Sequence, residues 1–129
     1  MNKLQEIYDL VKSIFGDKPS YHLKSDAYYP FVSAVMSCSL VSDDGIIINS
    51  DDAFRITIYD YTKRGGDWWV DGVWTPKNGG GGKNFVPYID GWGVLDNSVD
   101  FESQIRNRIE QILLFAKSDG IIPSYKELK

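Results

Sequence analysis

FVSAVMSCSLV, residues 31–41, alternates Val32, Ala34, Met36, Cys38 and Leu40 with Ser33, Ser37 and Ser39. Successive side chains of an extended chain point to opposite faces, so this period of two predicts a half-buried strand with a small polar outer face. Such a strand needs sheet neighbours and a cover for its apolar side. Downstream, Ser42, Asp43, Asp44 and Gly45 give a strong turn signal, Ile46–Ile48 a short strand, and Asn49–Asp52 a second turn. Phe54, Ile56 and Ile58 then alternate with Arg55, Thr57, Tyr59 and Tyr61, which predicts a strand that buries the first set. After the glycine-bearing loop Lys63–Asp67, Trp68–Thr75 alternates Trp68 and Val70 with Trp69 and Asp71, and the two strands pair as a hairpin. That pairing sets Trp69 and Asp71 alongside Tyr59, Tyr61 and Arg55 on one exposed surface, with the acidic turns at its end. Residues 76–97 hold Pro76, Pro87 and six glycines with little periodicity. They read as a long loop with a brief strand near Phe85–Ile89.

The sheet's cover comes from the two ends. Leu4, Ile7, Tyr8, Val11, Ile14 and Phe15 recur at spacings of three and four, which predicts an amphipathic helix over residues 2–15, with Asn2 as cap and Gly16 and Pro19 as stop. Its charges, Lys3, Glu6, Asp9 and Lys12, form a solvated face. Ser98 reads as the cap of a second helix that carries Phe101, Ile105, Ile109, Ile112, Leu113 and Ala116 on one stripe and ends at Gly120. Ile121, Ile122, Pro123, Tyr125 and Leu128 form a tail that packs back, through one last helical turn. The expected architecture is a single α+β domain over residues 1–129: an antiparallel sheet of three to five strands flanked by an N-terminal and a C-terminal helix.

With 129 residues, 43% of them apolar, the chain can bury a core without staples. The lone Cys38 leaves no internal disulfide and no thiolate cluster, and it reads as core. Residues 40–100 hold ten Asp, no Glu and all four Trp against Arg55, Lys63, Arg64, Lys77 and Lys83. The net charge of −4 is thus a local acidity, unsuited to a phosphate backbone and suited to a basic partner. No apolar run approaches the roughly 20 residues of a membrane helix. The amino terminus lacks a secretory pattern, and the expectation is a soluble, cytoplasmic protein.

No cofactor or catalytic signature is complete. In NGGGGKN, residues 78–84, Asn84 stands where a phosphate loop needs Ser or Thr, and no helix pattern follows, so the string reads as a flexible connection. His22 is the only histidine, which leaves no two-histidine metal site, and it reads with Tyr21 as a surface turn contact. Neither Asp43 with Asp44 nor Asp51 with Asp52 has a calcium loop around it. Convergence of Asp60, Asp67 and Asp90 in an enzyme stays open. Trp68 and one of Trp74 and Trp92 are expected in the core. Trp74, Trp92 and glycines 79–82 would alternatively form a sugar or ligand groove.

The acidic turns Asp43, Asp44, Asp51 and Asp52, the Tyr59 and Trp69 surface, the size and the lack of catalytic residues together resemble the immunity proteins of bacterial contact-dependent growth inhibition. The resemblance implies a noncatalytic cytoplasmic domain that binds a cognate protein toxin with a basic surface and covers its active site or substrate surface. The partner-binding set is then Asp43, Asp44, Asp51, Asp52, Tyr59, Tyr61, Trp69 and Asp71, with no metal, no cofactor and no direct nucleic acid or membrane contact. An exposed edge at Ile46–Ile48 would serve a weak homodimer or strand addition, so the chain is a monomer or a weak dimer.

Overall fold

The computed structural model describes residues 3–42, 44–74, 83–85, 94–95 and 100–125; for Leu40 and residues 48–53 and 83–85 the description is of the backbone. In chain order these form α1 (Lys3–Phe15), β1 (Ser20–Lys24), β2 (Phe31–Val41), β3 (Ile47–Asp60), β4 (Trp68–Trp74), β5 (Lys83–Phe85), β6 (Val94–Leu95), α2 (Phe101–Ser118) and β7 (Ile121–Pro123). Their sheet is antiparallel with the path β1-β2-β3-β4-β5; β6 adds to β4, and β7 adds to β2. The α+β class with a helix at each end is as the periodicity predicts, and two short strands extend the five-strand path. No helix among the described residues is long and apolar enough to cross a membrane.

The core follows the period-two pattern across three strands. Val32 faces Ile58, Ala34 faces Ile56, and Met36 faces Phe54, while Ile58 meets Val70 and Phe54 meets Trp74 on the next strand. Both helices lie on this side, through Leu4, Ile7, Val11 and Phe15 of α1 and Ile105, Ile109, Ile112 and Ala116 of α2, all buried. Gly16 ends α1 at φ +78°, a left-handed conformation that an L side chain resists.

Several boundaries differ from the sequence expectation. The cap of α2 is Asp100 rather than Ser98; its Oδ1 accepts from the Ser103 amide at 3.1 Å, which holds its carboxyl below the usual range. Tyr21 and His22 lie in β1, not in a turn, because β2 offers its edge to the residues after Pro19; the half-buried Tyr21 hydroxyl bonds the Gly16 carbonyl, and burial with Asp17 nearby raises it to about 12. The tail forms β7 instead of a helical turn, and its backbone pairs with Cys38–Leu40 while Tyr125 stands edge-on to Phe15 at 5.1 Å. Leu128 lies outside the described residues.

The largest correction concerns the second acidic turn. Asn49–Asp52 do not reverse the chain; β3 continues through them, because the eleven residues of β2 carry the ladder to Val41↔Ile47. Ser37 pairs with Ala53 and Cys38 with Ser50, so Asp51 and Asp52 are two extra residues at a bulge. β4 reaches β3 only from Phe54 to Asp60, and among the described residues the preceding stretch has a partner on the β2 side alone. A bulge bearing acids is a common way to blunt such an edge.

Candidate functional site

With both helices on one side, the opposite face of the sheet has no covering element among the described residues. The register lays it out in three rows. Lys24, Phe31, Tyr59 and Trp69 form one; His22, Ser33, Thr57 and Asp71 the next; Ser20, Val35, Arg55 and Val73 the third. The hairpin pairing inferred from alternation therefore holds, and it brings Tyr59, Trp69, Asp71 and Arg55 together.

An aromatic ladder runs off the first row. Phe31 and Tyr59 are 6.1 Å apart, Tyr59 stacks on Tyr61 at 5.4 Å and 8°, Tyr61 meets Tyr29 edge-on at 4.8 Å, and Tyr29 meets Tyr28 edge-on at 4.7 Å. Arg64 caps it, 3.7 Å over the Tyr28 ring. The ladder is built by two local devices. Asp60 accepts from the Thr62 amide at 2.9 Å to start the turn after β3, and Gly65 at φ +82° completes it. Tyr28 is 64% and Tyr29 42% exposed, whereas Tyr59, Tyr61 and Trp69 are half-buried. Aromatic surface of this kind is rigid and cheap to order on binding.

The middle row is sunk. Ser33 and Thr57 are only 4% and 2% exposed, although no element among the described residues lies over them. His22, Phe31, Ser33, Val35, Arg55, Thr57 and Tyr59 line a depression of about 270 Å³. Thr57 Oγ1 and, directly across the strands, Asp71 Oδ1 are buried without hydrogen-bond partners. Desolvation raises the Asp71 carboxyl above its ordinary range, with Arg55 pulling it back. Desolvation also raises Tyr59, with Asp71 adding to the shift, and raises Tyr61, with Tyr59 and Asp71 adding. These phenols stay protonated at neutral pH and can donate.

The Asp71 shift has a consequence for stability. Because the folded carboxyl holds its proton more tightly than the unfolded one, the native state loses stability as pH rises from the ordinary value of 3.8 through the raised folded value, and the penalty persists at neutral pH. Asp71→Asn is expected to stabilise the protein at neutral pH by on the order of 1 kcal/mol, with the gain closing as the pH falls below the unfolded value. Urea denaturation across that range measures it; parallel curves for the two proteins would mean that the carboxylate carries no such penalty.

The other expected site residues lie elsewhere. Asp44 is exposed at the tip of the β2–β3 hairpin, beyond a ladder that runs roughly 33 Å from Ile47 to Tyr59 at about 3.3 Å per residue of β2. Asp51 and Asp52 sit at the bulge between them, and Asp43 is outside the described residues. The acids thus flank the long hairpin rather than rim the aromatic face. Trp74, expected in a ligand groove, is 1% exposed and donates from Nε1 to Asp119 Oδ2 at 3.0 Å, so it offers no ring to a sugar. Trp68 is likewise core, edge-on to Phe101 at 5.6 Å, and Cys38 is buried. Trp92, glycines 79–82 and Asp90 lie outside the described residues. Among the described residues no cluster of three or more His, Cys, Asp or Glu could hold a metal ion. Tyr28, Tyr29 and Phe31, and the floor of Ser33 and Thr57, are not predicted from the sequence; the signal for the tyrosines is the YYP run just ahead of β2.

Compared with family models, with curated proteins and with solved structures, this chain finds no match.

Proposed function

We propose that this chain is a noncatalytic protein-binding domain, an immunity protein that acts in the cytoplasm by covering the active site or substrate surface of a cognate toxin. The observation that carries the reading is the aromatic ladder from Tyr28 to Phe31, continued across the open sheet face by Trp69. Rings packed against one another on a rigid sheet are poor at catalysis and good at anchoring a partner. The Asp-rich stretch 40–100, with five net negative charges, favours a partner of basic surface and speeds its approach rather than anchoring it. The Asp44 tip and the Asp51–Asp52 bulge then act as steering charge along the hairpin.

The test pairs this chain with a toxin domain from a neighbouring gene of its source. Trp69→Ala and Tyr61→Ala are each expected to weaken the complex by about 2 kcal/mol or more, roughly 30-fold in Kd, mainly through faster dissociation. Converting Asp43, Asp44, Asp51 and Asp52 together to Asn should slow association at low salt and flatten its salt dependence. Growth protection by the parent and its loss with Trp69→Ala would support the reading. Full protection by a Trp69→Ala, Tyr61→Ala double variant would sink it.

A further inference from the structure

The depression in the middle row shares Phe31 and Tyr59 with the aromatic ladder, and its lining holds a guanidinium and no carboxylate. Every polar group that lines it can donate a hydrogen bond: the Arg55 guanidinium, the His22 imidazole, and the hydroxyls of Ser33, Thr57 and Tyr59. None of them is a carboxylate. Arg55 is exposed and makes no hydrogen bond or ion pair among the described residues, with Asp71 acting on it only through space. Thr57 Oγ1, at 2% residue exposure, is buried on the floor with the Tyr59 hydroxyl near it but no hydrogen bond of ordinary geometry. A buried hydroxyl in that state is costly unless something fills the space above it. Phe31, Val35 and the Tyr59 ring supply apolar wall.

We infer that this depression is a binding site for a small carboxylate with a compact apolar body, the carboxylate held by Arg55, Thr57 and His22 and the body set against Phe31 and Tyr59. Charge fixes its orientation. Asp71 occupies the β4 end of the middle row and His22 the β1 end, three strand spacings or roughly 14 Å apart, so Asp71 repels the anion from the β4 end while Arg55 on β3 holds it between them. Size limits the ligand: at about 270 Å³ the depression falls below the usual range of drug-sized pockets, which leaves room for a single ring or a short branched chain. This site goes beyond the toxin-binding reading and does not depend on it.

The experiment is an amide NMR titration of the full chain with benzoate, benzamide and benzylamine at neutral pH. Benzoate is expected to shift the amides around His22, Ser33 and Thr57 with a Kd on the order of 0.1–1 mM, the range a fragment of that size can reach. Benzamide, which keeps the ring and loses the charge, should bind at least about tenfold more weakly. Arg55→Gln should weaken benzoate by about tenfold, and being exposed it leaves folding intact. Thr57→Val, equal in shape, should weaken benzoate severalfold while melting no lower than the parent, since it removes an unpaired buried hydroxyl. Benzylamine binding as tightly as benzoate, an Arg55→Gln variant with unchanged affinity, or no shift on these strands at tens of millimolar benzoate would each overturn the assignment. So would binding of a blocked Gly-Glu-Gly peptide without binding of benzoate, which would move the site to an acidic side chain of a protein partner. Tyr28→Ala, at the end of the ladder away from the lining, separates this from the toxin reading: benzoate affinity should survive it while affinity for the toxin falls.

Discussion

Trp74→Ala is expected to destabilise the fold by about 3–5 kcal/mol, enough to remove a large part of the 5–15 kcal/mol typical of a domain. The side chain is 1% exposed and stacks on its cross-strand neighbour Phe54 at 5.8 Å and 18°. Its indole N–H also reaches Asp119, the residue that closes α2, whose own amide bonds the Phe115 and Ala116 carbonyls. Gly120 follows at φ +78°, and its carbonyl accepts from the Val41 amide at 2.7 Å. One ring therefore ties β4 to the corner from which β7 reaches back to β2. Trp74→Phe keeps the stacking and loses only the tie, and should cost about 1–2 kcal/mol. Chemical denaturation separates the two, and a Trp74→Ala midpoint close to the parent's would show that the ring is not part of the core. Heating should tell the same story, with a fall in Tm on the order of 15 °C for the alanine variant.

The sequence carries the hairpin register and the core because both follow from one variable, the alternation of apolar and polar side chains. Once Phe54, Ile56 and Ile58 are set inward, Arg55, Thr57 and Tyr59 must face out, and Trp69 and Asp71 across from them must as well. What alternation does not carry is the length of a ladder. Asp51, Asp52 and their polar neighbours look like a turn, and locally they would make one. A partner strand of eleven residues keeps pairing past them, and the two surplus residues become a bulge. The same limit explains β1 and β7: five- and three-residue segments have too little pattern of their own, and only the edge of β2 that β3 leaves open makes strands of them. The depression is hidden for another reason. Ser33 and Thr57 read as an ordinary polar outer face, and which side chains stand beside them requires the register of three strands at once.

That register also separates two roles the composition had merged. Acidity and aromatic surface occupy the same stretch of chain, yet the β2–β3 ladder carries Asp44 roughly 33 Å from Tyr59, with Asp51 and Asp52 between, while Asp60 and Asp71 stay beside the rings. An encounter steered by the hairpin acids and an anchoring step on the ladder then become distinct events, with separate mutational signatures in association and dissociation rates. The half-buried Asp71 belongs to the second. It is raised in affinity for its proton by the same desolvation that makes the neighbouring rings good anchors.

Gly72→Ala should destabilise the protein by about 2–3 kcal/mol, although strand propensity alone argues that alanine would stabilise it by about 0.5–1 kcal/mol. Gly72 pairs with Ile56 in the centre of the sheet, under α2. A Cβ built there would lie 2.6 Å from Ile112 Cγ2 and 3.6 Å from its Cδ1, with Trp74 Cζ3 at 3.5 Å. The methyl it meets first branches from the β-carbon of a fully buried side chain, so relief requires α2 itself to move. Moving α2 in turn disturbs the corner at Asp119. Ile112→Ala opens the space but leaves a cavity of its own, costing about 2–5 kcal/mol. In a double-mutant cycle the Gly72→Ala, Ile112→Ala pair should therefore be at least about 1 kcal/mol more stable than the sum of the two single losses. Simple additivity, or a Gly72→Ala variant more stable than the parent, would show that helix and sheet do not approach this closely, and the packing of both helices on one side of the sheet would have to be redrawn.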